Sequence, residues 1–155
     1  MLDYFKENNL VTLSEKTPKS WEEAVRISCE NLLEKGIILE KYVDDIVACI
    51  KEHGPYIVLI PGVAMPHSTA DHSGVLGTAI SFTKFKENVY FEGDDEEKAA
   101  NLFFTLAAKN PDEHIQNIAN LSDMLMTEGL VEELQKIQTM EEYDVLIDKF
   151  ENVTA

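Results

Sequence analysis

The chain has 155 residues, 45% of them hydrophobic, which is enough for one compact domain around a single core. Its 13 basic residues stand against 29 acidic ones, a net charge of −16. That balance argues against nucleic acid or an anionic membrane surface as partner, since both need clustered Lys and Arg, and it suits either solubility or attraction to a basic protein.

No apolar run is long enough to span a bilayer, and Met1–Glu7 lacks the basic and long apolar regions of a signal peptide, so a cytoplasmic location is expected. Cys29 and Cys49 each fall inside an apolar helical pattern with no CxxC or zinc spacing, which predicts two reduced, buried thiols.

In chain order, residues 1–10 read as a short helix or an irregular lead-in, and Leu10–Leu13 as a first strand at an edge. Ser20-Trp21-Glu22-Glu23 is a capping box that opens a helix, with Gly36 just past its end. A second helix spans about 40–52, with Tyr42, Val43, Ile46, Val47, Cys49 and Ile50 as its buried stripe and Gly54 as its stop.

After Gly54-Pro55, residues 56–60 predict a short buried strand broken by Pro61-Gly62; a second apolar run ends at Pro66. Residues 75–84 alternate as a strand, residues 89–91 form a short extended piece, and Glu92–Lys98 is an acidic loop. Asn101–Ala108 is apolar throughout, as a central strand is. Pro111-Asp112-Glu113 opens a helix, and two shorter helices, 130–137 and from Thr139 to Phe150, complete a single domain covering 1–155. The expected class is α/β: one layered domain, a mixed β-sheet flanked by helices on both faces.

The chemistry concentrates at His67. Pro66 fixes its own φ, removes a backbone donor and holds Met65 extended, so the chain leaves the sheet there and enters the polar segment Ser68-Thr69-Ala70-Asp71. An imidazole at a stiff chain exit serves as a nucleophile; the competing reading is a histidine that caps a strand by bonding a carbonyl. His114 falls in the first turn of the helix after Pro111, where the helix dipole favours an anion, and a plain surface histidine fits that place as well. Lys51 and His53 read as solvated residues at a helix end. His67, His72 and Asp71 match no zinc spacing, so no metal site is expected, and no nucleophilic Ser or Cys motif supports a hydrolase.

Pro61-Gly62-Val63-Ala64-Met65-Pro66-His67 resembles the phosphorylation-site motif of the IIA components of the bacterial phosphotransferase system (PTS), mannitol/fructose type. The preceding Lys51-Glu52-His53-Gly54-Pro55-Tyr56-Ile57-Val58-Leu59 resembles the ascorbate-type branch most closely. The likeness runs from Tyr4-Phe5 through Trp21-Glu22-Glu23-Ala24 to the helices after Pro111.

The resemblance implies a layered α/β/α fold and a phosphoryl carrier in which His67 takes phosphate from the phosphocarrier protein HPr and passes it to a cysteine of a IIB component. A membrane IIC component would bind the sugar, with ascorbate or a pentitol-like carbohydrate as the expected cargo and no cofactor required. It further implies that His114, matching the family's second active-site histidine within Asp112-Glu113-His114-Ile115-Gln116, stabilises the phosphoryl group. Many relatives have arginine two residues after the phosphorylated histidine; here that position is Thr69, so Ser68 and Thr69 become candidate hydroxyl contacts to the phosphoryl oxygens. A regulatory protein-binding module controlled by the same phosphorylation is the alternative function.

Overall fold

The computed structural model describes residues 1–68 and 73–151. Its helices are α1 (Leu2–Glu7), α2 (Trp21–Glu34), α3 (Glu40–His53), α4 (Pro111–Leu125), α5 (Leu130–Lys136) and α6 (Met140–Phe150). Its strands are β1 (Val11–Leu13), β2 (Val58–Ile60), β3 (Gly62–Ala64), β4 (Ala79–Tyr90) and β5 (Ala99–Ala107). The strands form one sheet in the order β1-β4-β5-β3-β2.

Every residue of β5 is buried, as its unbroken apolar run requires, and it lies at the centre of the sheet. It runs antiparallel to β4, with Phe82 opposite Phe104, and parallel to β3, with Ala64 opposite Phe103. β1 is parallel to β4, and β2 and β3 form an antiparallel pair.

The two faces of the sheet bury different layers. Phe82 and Phe104 stack at 4.8 Å on one face, where Phe5 of α1 and Tyr143 of α6 close over them. On the other face the Thr105 hydroxyl donates to the Ser28 carbonyl of α2 at 3.2 Å, and Phe103 meets Phe91, which in turn packs on Trp21 at the start of α2. The result is helices over both faces of a mixed sheet, the expected α/β class.

The helix starts follow their local sequence. Ser20, Asn110 and Thr139 each accept the N–H of the residue three further on, at 3.2, 2.9 and 3.1 Å, which satisfies a donor that the first turn leaves open. Gly54 ends α3 with φ +80°, a conformation that costs a side-chain-bearing residue about 1–2 kcal/mol. Among the described residues, no helix is long and apolar enough to cross a membrane. Both cysteines are buried thiols outside any disulfide, and burial pushes the Cys29 thiol up to about 12.

Two sequence expectations need correction. The strand expected at 75–84 begins at Ala79 and continues to Tyr90. Val75 makes only an isolated bridge to Ile38, and the Leu76 and Gly77 N–H groups go to the Ile37 carbonyl, so this piece staples the α2–α3 connection instead. The strand extends past Lys84 because the side chains of Lys86, Glu87 and Asn88 are exposed to solvent while the backbone carries on across an irregularity and pairs again at Val89 with Ala100.

The strand expected to be buried at 56–60 is an edge strand, with Leu59 43% and Ile60 45% exposed. The buried neighbour of β5 is β3. Apolar content alone does not distinguish an edge from a centre.

Candidate active site

β3 and β5 are neighbours and run the same way, so both chains leave the sheet at the same end. From β3 the chain passes through Met65 and Pro66 to His67; from β5 it passes through 108–110 into α4, which carries His114. Parallel pairing thereby brings together two side chains far apart in sequence. Their rings lie 5.3 Å apart between centroids, inclined at 47°, and both are half-buried.

The backbone groups around His67 are held one by one. The Met65 N–H donates to the Ile57 carbonyl at 2.8 Å, and the Pro66 carbonyl accepts from the Leu106 N–H at 3.0 Å, extending the β3–β5 ladder past Ala64. His67 Nδ1 lies 2.6 Å from the Met65 carbonyl. A carbonyl only accepts, so Nδ1 carries the proton, and in the neutral ring the lone pair falls on Nε2. Burial lowers the His67 pKa below the usual imidazole value, partly offset by the Met65 carbonyl, which favours the charged form. Burial thus favours the neutral ring, with the Nε2 lone pair left available for chemistry.

His114 is the fourth residue of α4, and its N–H makes the helix's first-turn bond to the Asn110 carbonyl at 3.1 Å. The entry to α4 is braced: Glu113 accepts from Asn110 Nδ2 at 3.0 Å and from the Thr78 hydroxyl at 2.9 Å, and Thr78 accepts from the Lys109 N–H at 3.1 Å. This helix end offers fewer open donors than its position suggests. Pro111 has no N–H, the Glu113 N–H is taken by Asn110 Oδ1, and Asp112 and Glu113 put negative charge in the first turn. The His114 ring is accordingly the more suitable group to receive an anion held on His67.

The Ser68 hydroxyl, expected to face a phosphoryl group, lies buried at 3.5 Å from Cys49 Sγ. Thr69, and with it Asp71 and His72, lies outside the described residues. Lys51 and His53 end α3 exposed, and His53 lies 3.8 Å from the carboxylate of its neighbour Glu52. No group of three or more His, Cys, Asp or Glu side chains that could hold a metal occurs among the described residues.

Two residues at the site escaped the sequence reading. Tyr42 passed as one more apolar residue in the α3 stripe, and Tyr56 as part of a strand; their hydroxyls in fact bond the backbone at His67 and Ser68. A phenol within an otherwise aliphatic stripe was the available signal, since a buried hydroxyl needs a partner.

Residues 4–149 match the family described as phosphoenolpyruvate-dependent sugar phosphotransferase system, EIIA 2. The chain belongs to this family. It is thus a sugar phosphotransferase-system protein of the kind that carries phosphate. It is 39% identical over 132 residues to the mannitol-specific cryptic phosphotransferase enzyme IIA component of Escherichia coli K12, covering 85% of this chain and 86% of that one. It is 28% identical over 148 residues to the ascorbate-specific PTS EIIA component of Shigella boydii, covering 95% and 94%. Among solved structures it resembles the IIA subunit in the complex of the mannitol IIA enzyme with phosphorylated IIB from Escherichia coli, with a TM-score of 0.75, 30% identity, and coverage of 90% and 94%. This EIIA chain is more identical to the mannitol-type relative, while the ascorbate-type relative matches along more of its length.

Proposed function

We propose that this EIIA chain accepts a phosphoryl group from phospho-HPr on His67 Nε2 and donates it to a cysteine of a cognate IIB component, in the cytoplasm and in the service of a membrane IIC transporter. The observation that carries the reading is the imidazole with Nδ1 tied to the Met65 carbonyl and its ring 5.3 Å from that of His114.

In the first step the Nε2 lone pair forms the N–P bond as the bond from phosphorus to the donor breaks, its electrons leaving on the donor. In the second a thiolate forms the S–P bond and the electron pair returns to Nε2. Neither step requires a cofactor; both depend on placement and on stabilising charge on the phosphoryl oxygens. His114 supplies that stabilisation, and Ser68 and Thr69 are the hydroxyls in line to contact the phosphoryl oxygens.

A IIB partner is supported by the complex known for the mannitol relative. For the sugar, the Gly54-Pro55-Tyr56-Ile57-Val58 spelling supports ascorbate or a pentitol-like carbohydrate, and the mannitol-type likeness widens the class to related polyols.

The test is incubation with phosphoenolpyruvate, enzyme I and HPr. The native chain gains acid-labile, base-stable phosphate, His67→Ala gains none, and a IIB cysteine removes it. A chain that stays unlabelled, or labels equally as His67→Ala, ends the proposal. One that accepts phosphate but never donates it is a regulator instead.

A further inference from the structure

The Cα of His67 sits between two peptide groups that are both pinned. The one before it is held by the Leu106 N–H on the Pro66 carbonyl at 3.0 Å. The one after it is gripped at both ends by tyrosine hydroxyls from different parts of the chain. Tyr56, just before β2, donates to the His67 carbonyl. The Ser68 N–H donates to the Tyr42 hydroxyl of α3 at 3.4 Å, and that hydroxyl donates to the Leu106 carbonyl at 2.5 Å. Tyr42 therefore ties the segment after His67 to the residue of β5 that already holds the segment before it. The Tyr56 ring also meets the imidazole edge-on, with centroids 5.3 Å apart and planes at 87°. Burial raises the pKa of both phenols well above the usual value, so both hydroxyls remain donors throughout the physiological range.

We propose that Tyr42 and Tyr56 are positioning residues for phosphoryl transfer at His67. With both flanking peptide planes fixed, the direction of the Cα–Cβ bond is fixed, and with it the reach of Nδ1 to the Met65 carbonyl and the position of Nε2. Past Ala64 the chain has left the regular strand, so without the phenols the second plane loses the two hydrogen bonds that orient it. A reacting atom displaced by about 1 Å costs on the order of a hundredfold in rate. The phenols thus supply at a chain exit the rigidity that a regular strand supplies elsewhere. This inference rests on the phosphocarrier reading.

The test uses Tyr56→Phe and Tyr42→Phe in the full chain, each keeping the ring and its packing while removing one hydroxyl. The expected result is a fall of about tenfold in kcat for phosphate uptake from phospho-HPr, with KM for phospho-HPr unchanged within about twofold. The ring nitrogen-15 spectrum of His67 should move from a single Nδ1–H tautomer to a mixture. An unchanged kcat, a loss confined to KM, or retention of the native tautomer by both variants overturns the proposal. If Tyr42→Phe, whose ring is buried, does not fold, the half-exposed Tyr56→Phe decides. The phosphocarrier reading fails separately, on a native chain that takes up no phosphate at all; in that case the positioning role falls with it. Native uptake with undiminished variants sinks the tyrosine clamp alone.

Discussion

Gly62 opens the strand that leads to His67, and replacing it with alanine tests how that strand is held. Its φ is +95°, outside the range that side-chain-bearing residues readily adopt, and the new Cβ would stand 2.3 Å from Gln135 Nε2. The conformational part costs about 1–2 kcal/mol. The clash is with the end of a flexible side chain, so Gln135 can swing aside, but doing so breaks its 3.1 Å bond to Asn101 Oδ1. Asn101 is buried, and losing the partner of a buried acceptor costs about 1–3 kcal/mol. Gly62→Ala is therefore expected to lose about 2–5 kcal/mol, a large share of the ~5–15 kcal/mol typical of a domain. Urea unfolding should show this as a lower midpoint at unchanged slope. In a Gln135→Ala background the clash and the bond are already gone, so Gly62→Ala should then cost only the conformational part, about 1–2 kcal/mol. A single variant within about 0.5 kcal/mol of the native chain would falsify the account of this turn.

Four further outcomes are expected. Because burial lowers the His67 pKa, the rate of phosphate uptake should hold as pH falls through the usual imidazole value of 6.5 and decline only below it; a decline centred at or above 6.5 contradicts the burial argument. The same shift makes acid destabilising, since the unfolded chain binds a proton there before the folded one does: this part of the stability is complete above 6.5 and is lost as pH falls through the folded value. Glu151 accepts from the Leu2 and Asp3 amides at 2.6 and 2.9 Å and from the Met1 amino group at 3.0 Å, tying the start of α1 to the end of α6. Its burial would raise the carboxyl pKa, but these donors outweigh that and lower it. Glu151→Ala should cost about 1–3 kcal/mol at pH 7 by thermal unfolding, and the gap should close as pH drops through the lowered pKa; a gap that persists in strong acid would point to packing instead. Finally, with a net charge of −16, uptake from HPr should slow as salt rises if the acidic surface steers a basic partner, and a rate flat across ionic strength removes steering from the account.

The sequence by itself determined the local events. Ser20 and Thr139 cap the helices that follow them, Gly54 stops α3, and the Pro61-Gly62 and Pro66 breakers set β3 and the exit at His67. Each is a matter of a few neighbouring residues, where sterics and one hydrogen bond decide the outcome. The strand expected to end at 84 runs on through Lys86, Glu87 and Asn88, because a strand can carry solvent-facing polar side chains without ending. The two apolar runs around Pro61-Gly62 looked alike because hydrophobicity does not say which of two strands lies at the edge. Only the tertiary structure decided that β3 lies beside β5 and parallel to it, so that His67 and His114 emerge at one end with their rings in contact range. The same is true of Tyr42 and Tyr56, whose hydroxyls reach across the fold to one peptide group. These pairings join residues tens of positions apart, and what selects them is the burial of whole faces and the satisfaction of buried polar groups, which no short window of sequence contains.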